Sequence, residues 1–422
     1  MKKRRYRTTE VNQVNWSQLA EQAGEQRVVL AVDVAKVKFV AALMKPDCTV
    51  LKTIRWRHPQ QTPELVHGLL SHLDAQRLEV AMEPSGTYGD PLRWLFASHA
   101  VAVYRLSPKR VHDSAEVYDG VPSLHDAKAA YQIGRLHLDG VSRRWEARTE
   151  QRRVLTARLT VLKLYQERLQ SSRSRLEAQL SRHWPELMGI LDLGSVTLMT
   201  LVGEYGSASE VAAHTDEARQ LMRRCGGAGL CREKIDGVLE AAGQTLGMPC
   251  IDAERVLMQT LARDMLENHR AVQRAEQALA VQVDADITLK RMAPVVGKTS
   301  AAVLVSTVGN PQEYPNAGSY LKSQGLNLKE RSSGNFVGQL RITKRGPGIA
   351  RQYLYFAALR WSYRDPVVHA WYQRKVARDG GHKGKAIVAL MRKLAKALWH
   401  VAQGTAFDSR KLFNIKALAM DA

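Results

Sequence analysis

Apolar and polar residues alternate in blocks between residues 27 and about 140. Apolar runs at 28–34, 37–44, 49–56, 78–83 and 101–106 have the length and β-branched content of strands. Stretches near 63–73, 89–99 and 124–138 carry helix-like patterns. Three consecutive strands followed by strand–helix alternation predict a mixed α/β sheet. Residues 1–26 read as a polar, basic lead-in. Past residue 145 the period changes. Leu155, Leu162, Leu169 and Leu176 recur every seventh residue, with Arg, Glu and Gln between them. That spacing predicts a heptad seam on a long helix, hence a helical coiled-coil arm over 146–286. The charged stretch 252–285 fits a returning arm, and the seam's partner is either this chain or a second copy. Residues 186–250 contain glycines but no legible motif and read as an insertion. A mostly α region follows over 287–406, with an apolar helix at 301–308 and a basic amphipathic helix at 384–401. Residues 407–422 form a tail.

Charge sharpens this picture. The 422 residues include 62 Lys and Arg against 41 Asp and Glu, a formal net charge of +21. Such a surplus favours a polyanionic partner, because basic surface releases counterions from nucleic acid. Hydrophobic residues make up 45% of the chain, enough for packed cores in two or three domains. No apolar stretch approaches the ~18 residues of a membrane span. The start, Met1-Lys2-Lys3-Arg4-Arg5, lacks the apolar run of a secretory signal, so a cytoplasmic, nucleoid-associated protein is expected. The four cysteines are scattered, with no Cys-x-x-Cys pair, so reduced thiols are expected.

Candidate chemistry centres on acids at the ends of apolar runs. Asp33 closes Val28-Val29-Leu30-Ala31-Val32, and Glu83 closes Leu78-Glu79-Val80-Ala81-Met82. A carboxylate so placed is costly unless it has a partner or a metal. Asp126 stands near a helix start, in Ser123-Leu124-His125-Asp126. Taken singly, the three read as a strand-end polar residue, a turn cap before Pro84 and a first-turn acid. Taken together, they are a ligand set for Mg²⁺, which prefers carboxylate oxygens and water. Two such metals about 4 Å apart can serve phosphodiester chemistry.

A second constellation runs from Gly325 through Ser332-Ser333-Gly334 to Lys344-Arg345-Gly346. A serine before glycine in a basic loop can attack phosphorus, although Ser-Ser-Gly is also ordinary loop chemistry. Pro294 to Ser300 resembles a helix-hairpin-helix turn that meets a phosphate through Lys298 and backbone N–H groups. Lys383, Lys385, Arg392, Lys393 and Lys396 line the last helix. Trp361, Tyr363, Trp371 and Tyr372 interleave with basic residues, either as stacking platforms for bases or as core.

These residues resemble a family: the DEDD-type transposases of the IS-one-ten class of bacterial insertion sequences, including the eleven-eleven group. Val32 to Lys36, Met82 to Tyr88 and Pro108-Lys109-Arg110 leading to Asp126-Ala127 are similar to its RuvC-like DEDD domain. Val296 to Ala301, Gly325-Leu326, Ser333-Gly334, Ile342 to Gly346 and Lys383 to Leu394 are similar to its serine-bearing transposase domain. The resemblance implies an α/β plus α chain: an RNase H-like (RuvC-like) domain at 27–145, the arm, and a C-terminal transposase domain at 287–406. It implies Asp33, Glu83 and Asp126 as metal ligands and Ser333, with Ser332 beside it, as the DNA nucleophile. It further implies recombination guided by a bridge RNA or seekRNA, double-stranded donor and target DNA, and a homo-oligomer, a dimer assembling to a tetramer. Lys298, Lys344, Arg345, Lys383, Lys385, Arg392 and Lys393 are the expected nucleic-acid contacts, and no membrane partner is expected. The family's further Asp is replaced here by Ser123, with Asp119 as the nearest acid. A Holliday-junction resolvase or other metal nuclease needs the acids but no serine, and a nucleic-acid scaffold needs only the charge.

Overall fold

The computed structural model describes residues 6–84, 86–123, 125–227, 229–330 and 340–413. The chain divides into two compact units, Met1–Arg148 and Thr149–Ala422.

In the first unit, strands β1 (Thr8–Glu10), β2 (Val28–Asp33), β3 (Lys38–Met44), β4 (Val50–Arg57), β5 (Leu78–Met82), β6 (Ala102–Arg105) and β7 (Arg143–Arg144) form one sheet. Their order is β1-β4-β3-β2-β5-β6-β7. The helices are α1 (Trp16–Ala23), α2 (Thr62–His72), α3 (Asp90–Ser98), α4 (Pro108–Asp113) and α5 (Asp126–Leu138). The long apolar runs have a physical cause: both faces of the sheet are covered. Val28, Leu30 and Val32 pack with Leu19, Leu65 and Leu92 on one face. Val29, Ala31 and Ala81 pack with Ile133 of α5 on the other. β2 therefore buries every residue up to its last, Asp33, which is half-buried. β2 runs parallel to β5, pairing Val32 with Met82, and antiparallel to β3, pairing Asp33 with Val40. This mixed sheet is consistent with an RNase H-like domain.

The expected strands and helices form within one or two residues of their expected bounds. The lead-in differs. Thr8–Glu10 pairs in parallel with β4, and α1 buries Leu19 and Ala23. The Trp16 indole lies over Gly68 of α2, where a Cβ would stand 2.3 Å from a ring atom. Residues from Tyr6 onward therefore belong to the sheet unit rather than to a separate tail.

The second unit is mostly helical: α6 (Glu150–His183), α7 (Leu187–Ile190), α8 (Val196–Tyr205), α9 (Ala208–Ala213), α10 (Thr215–Cys225), α11 (Arg232–Gly243) and α12 (Asp252–Val281). Next come α13 (Ile287–Val296), α14 (Lys298–Val308), α15 (Ala317–Ser323), β8 (Leu328–Lys329), β9 (Arg341–Ile342), α16 (Gly348–Arg364), α17 (Pro366–Arg378) and α18 (Lys383–Ala402). The heptad leucines find their partner within the chain. Leu155 and Leu162 share a core with Ala275 and Leu279. Leu176 and Leu180 share another with Met258, Leu261 and Met265. α6 and α12 are thus the arms of an antiparallel helical hairpin. Its first half joins the core of α13–α18, so the arm and the C-terminal region are one unit here. Residues 186–250, without a legible motif, fold into α7–α11, whose Leu187, Val211, Met222 and Val238 close the core at the hairpin's far end.

Candidate metal centre and nucleic-acid interface

Parallel pairing of β2 and β5 brings two acids to one sheet edge. Asp33 is the last residue of β2, and Glu83 follows the last residue of β5. α5 crosses the same sheet and begins at Asp126, with the His125 ring accepting from the Lys128 backbone N–H as its N-cap. Gly134 sets that approach, because a Cβ there would lie 2.3 Å from Met44 Sδ and 3.1 Å from Ala31 Cβ.

Asp33 feels the charge of both other acids. Burial, then the charge of Asp126, then that of Glu83 push the Asp33 carboxyl up to about 6, against only a backbone hydrogen bond from Val34. A half-buried carboxylate beside two others is a donor set that a divalent cation would neutralise. Their ligand atoms are more widely spread than those of His183, Cys250 and Glu254, which lie within 4.8 Å of one another.

Asp119 takes another role. It pairs with buried Lys128 at 2.8 Å, caps the Val121 N–H at 3.0 Å and accepts from the Tyr6 hydroxyl at 3.4 Å. The Lys128 hydrogen bond holds its carboxyl below the usual range. Lys128 also donates to Val121 O at 2.6 Å, so Asp119 and Val121 are tied to the first turn of α5. Ser123 is exposed. Lys128 was missed in the sequence because only the folded segment reveals its burial.

Asp126, alone of the three acids, lines a cleft of about 710 Å³ together with Tyr6, Glu10, Lys38, Arg55, Arg57 and His125. Arg55 pairs with Glu10 at 2.7 Å, while Lys38 and Arg57 are exposed cations of the kind that suits a phosphate backbone. None of these three cations was singled out from the sequence, because on β3 and β4 they read as ordinary outward-facing strand residues.

In the second unit, α13 and α14 meet at Gly297 with φ +88°, and Arg360 donates to Val296 O at 2.8 Å, so the hairpin turn forms as expected. Lys298 pairs with Asp284 at 3.1 Å. β8 and β9 pair antiparallel, and Lys344 N–H donates to Gly325 O at 2.9 Å. Gly325, at φ +70°, packs its Cα against backbone: a Cβ would meet Arg345 N at 2.7 Å. The glycines of this motif are there for close approach. Ser332 and Ser333 lie outside the described residues.

Among the expected basic contacts, Lys344, Arg345, Lys383 and Lys385 are exposed and Arg392 is half-buried. Half-buried Lys393 donates from its ammonium to Leu412 O at 2.6 Å and lies 4.8 Å from the Phe413 ring centre. Burial lowers its pKa, and these contacts tie it to the core. Trp361 and Tyr372 are buried and Trp371 packs against the same core, leaving Tyr363 exposed. Among the described residues, no helix is long and apolar enough to cross a membrane.

Comparison with known proteins agrees with this geometry. Residues 30–188 match a transposase family, DEDD_Tnp_IS110, and residues 289–373 match the Transposase IS116/IS110/IS902 family. The "Insertion element IS110 uncharacterized 43.6 kDa protein" of Streptomyces coelicolor is 24% identical over 279 residues, covering 63% of this chain and 68% of that one. A DEDD domain implies a divalent metal, and a transposase acts on DNA. The chain thus carries the domains of an IS110-family, DEDD-type transposase, an enzyme of DNA cleavage and strand transfer.

Proposed function

We propose that this transposase is guided by RNA and joins DNA through a serine. The observation that carries the metal half is placement: Asp33 ends β2, Glu83 follows the paired β5, and Asp126 opens α5, near enough that both other charges raise the Asp33 carboxyl. These three residues hold Mg²⁺. The bound ion supplies charge neutralisation at the scissile phosphate and eases deprotonation of the attacking hydroxyl. Lys38 and Arg57 hold the strand's phosphates beside Asp126.

Ser333 is the proposed nucleophile. Its Oγ loses a proton and bonds to phosphorus, while one DNA oxygen leaves and takes up a proton. The phosphoserine ester conserves the bond energy, so a second DNA hydroxyl can reverse the exchange onto a new partner. Exposed Lys344, Arg345, Lys383 and Lys385 are proposed backbone contacts, with Arg392 beside them. We assign 27–145 to the RuvC-like domain and 287–406 to the serine-bearing domain, and propose a homo-oligomer. Base pairing by a guide RNA then selects sequence, with the protein holding the duplex by shape and charge.

The test is a covalent-adduct assay. Full-length protein, the element's flanking non-coding RNA, Mg²⁺ and labelled donor DNA are resolved on a denaturing gel. A protein–DNA adduct is expected, lost in Ser333→Ala, in Asp33→Ala and without RNA. Strand cleavage with no adduct, unchanged in Ser333→Ala, identifies a metal-only nuclease such as a junction resolvase and overturns the serine mechanism.

A further inference from the structure

A second cluster of metal-type donors lies far along the chain from the acidic edge, in the second unit. His183 ends α6, Cys250 precedes α12, and Glu254 lies in the first turn of α12. One ligand atom from each, an imidazole nitrogen, a thiol sulfur and a carboxylate oxygen, lies within 4.8 Å of the others.

The histidine is set up as a ligand. It is 3% exposed. Its Nδ1 lies 3.1 Å from Met248 O, an acceptor only, so Nδ1 carries the proton and donates. In that tautomer Nε2 is the lone-pair nitrogen. Nε2 is buried with no hydrogen-bond partner, and it points at Glu254, 3.7 Å from Oε1. Metal-binding histidines are characteristically fixed this way, with the other ring N–H held by a carbonyl. Without a cation or a second ring proton, that lone pair would face a carboxylate. Arg182 approaches the same Oε1, at 3.4 Å. Glu254 Oε2 is taken by the Ile251 N–H, which fixes the side chain and leaves Oε1 facing the cluster.

The backbone is built around the same point. Met248 N–H donates to Arg182 O at 2.9 Å, and a Cβ on Gly247 would stand 2.2 Å from His183 O. Residues 247–250 are thereby pressed against the end of α6, which delivers Cys250 to His183.

We propose that His183 Nε2, Cys250 Sγ and Glu254 bind a zinc-type divalent transition metal that staples the far end of the α6–α12 hairpin. Nitrogen, sulfur and one oxygen donor select Zn²⁺ over Mg²⁺, because thiolate is a soft ligand. Bonds of ~2.0–2.3 Å put tetrahedral donors roughly 3.3–3.8 Å apart, so a small contraction completes the site. Binding releases the Cys250 thiol proton to solvent, and water fills the fourth position.

Cobalt reports on this site alone, since the acidic edge offers no thiolate. The chelator-treated full chain is titrated with Co²⁺ and followed by absorbance. A near-ultraviolet thiolate-to-cobalt band is expected at one equivalent in the wild type and in Cys231→Ser, and its loss is expected in Cys250→Ser. No band in the wild type, or a band that survives Cys250→Ser, overturns the proposal. A second measurement leaves the sequence untouched: alkylation of Cys250 by N-ethylmaleimide, mapped by mass spectrometry. Stoichiometric Zn²⁺ should slow it at least tenfold, and an unchanged rate overturns the proposal.

Discussion

At the scale of single residues, Asp33 shows how a site is held at a cost. Its folded carboxyl titrates at about 6, against an ordinary 3.8. A raised carboxyl pKa means that the folded chain binds the proton more tightly than the unfolded one. Its contribution to stability is therefore full below pH 3.8 and is lost as pH rises through 6. In metal-free protein, Asp33→Asn should gain stability at pH 7, by on the order of 1–3 kcal/mol after allowance for solvent screening. The gain should vanish near pH 4. Urea unfolding across that pH range in the presence of chelator measures it, and a gain that persists at pH 4 would refute the electrostatic cause. Asp33 and Glu83 were legible in the sequence because an acid closing an apolar run is conspicuous. The Asp119–Lys128 pair was not, since a lysine on a helix reads as solvated until the segment beside it is folded. His183, Cys250 and Glu254 were equally silent, being distant in sequence and without the short spacing of a metal motif.

Among the elements, the approach of α5 to the sheet decides where Asp126 stands. Gly134→Ala would gain about 1 kcal/mol of helix propensity but force a methyl against buried Met44 and Ala31. Overpacking costs about 1–3 kcal/mol, so a net loss is expected, together with weaker Mg²⁺ binding as the start of α5 lifts. Calorimetry of Mg²⁺ binding alongside urea unfolding tests both parts. The base of the β8–β9 hairpin is stiffer still. Gly325→Ala meets backbone rather than a side chain, at a left-handed φ, and should cost 2 kcal/mol or roughly so. It should abolish the DNA adduct while leaving Mg²⁺ binding intact, and an undiminished adduct would show that the hairpin base tolerates the shift. The central strands and the long hairpin were readable because period and burial coincide in them. Thr8–Glu10 was not, since a three-residue edge strand of polar residues is stabilised by pairing with β4 alone and leaves no pattern. α7–α11 escaped for a related reason: short helices around one small core carry too few turns each to show a period.

For the whole molecule, net charge of +21 favours a polyanionic partner but does not say which cations meet it. The structure sorts them. Lys383 and Lys385 stand exposed at the start of α18, while Lys393, on the same helix, turns inward to Leu412 O and the Phe413 ring. These two kinds of lysine predict different failures. Each phosphate neutralised contributes about 0.9 to the slope of log affinity against log salt. Lys383→Gln with Lys385→Gln should lower that slope by roughly 2 and weaken all DNA sequences alike, with unfolding unchanged. Lys393→Gln should leave the slope alone and cost about 1–2 kcal/mol of stability, through a lost hydrogen bond and ring contact. Fluorescence anisotropy across a salt series, paired with thermal unfolding, separates the two effects. A slope change in Lys393→Gln at full stability would return that residue to the interface. An unchanged slope in the double variant would move the DNA path away from the start of α18. On one helix, Lys383 and Lys385 point to solvent and Lys393 to Leu412 and Phe413, so the direction each side chain takes from the helix axis is what the two variants compare.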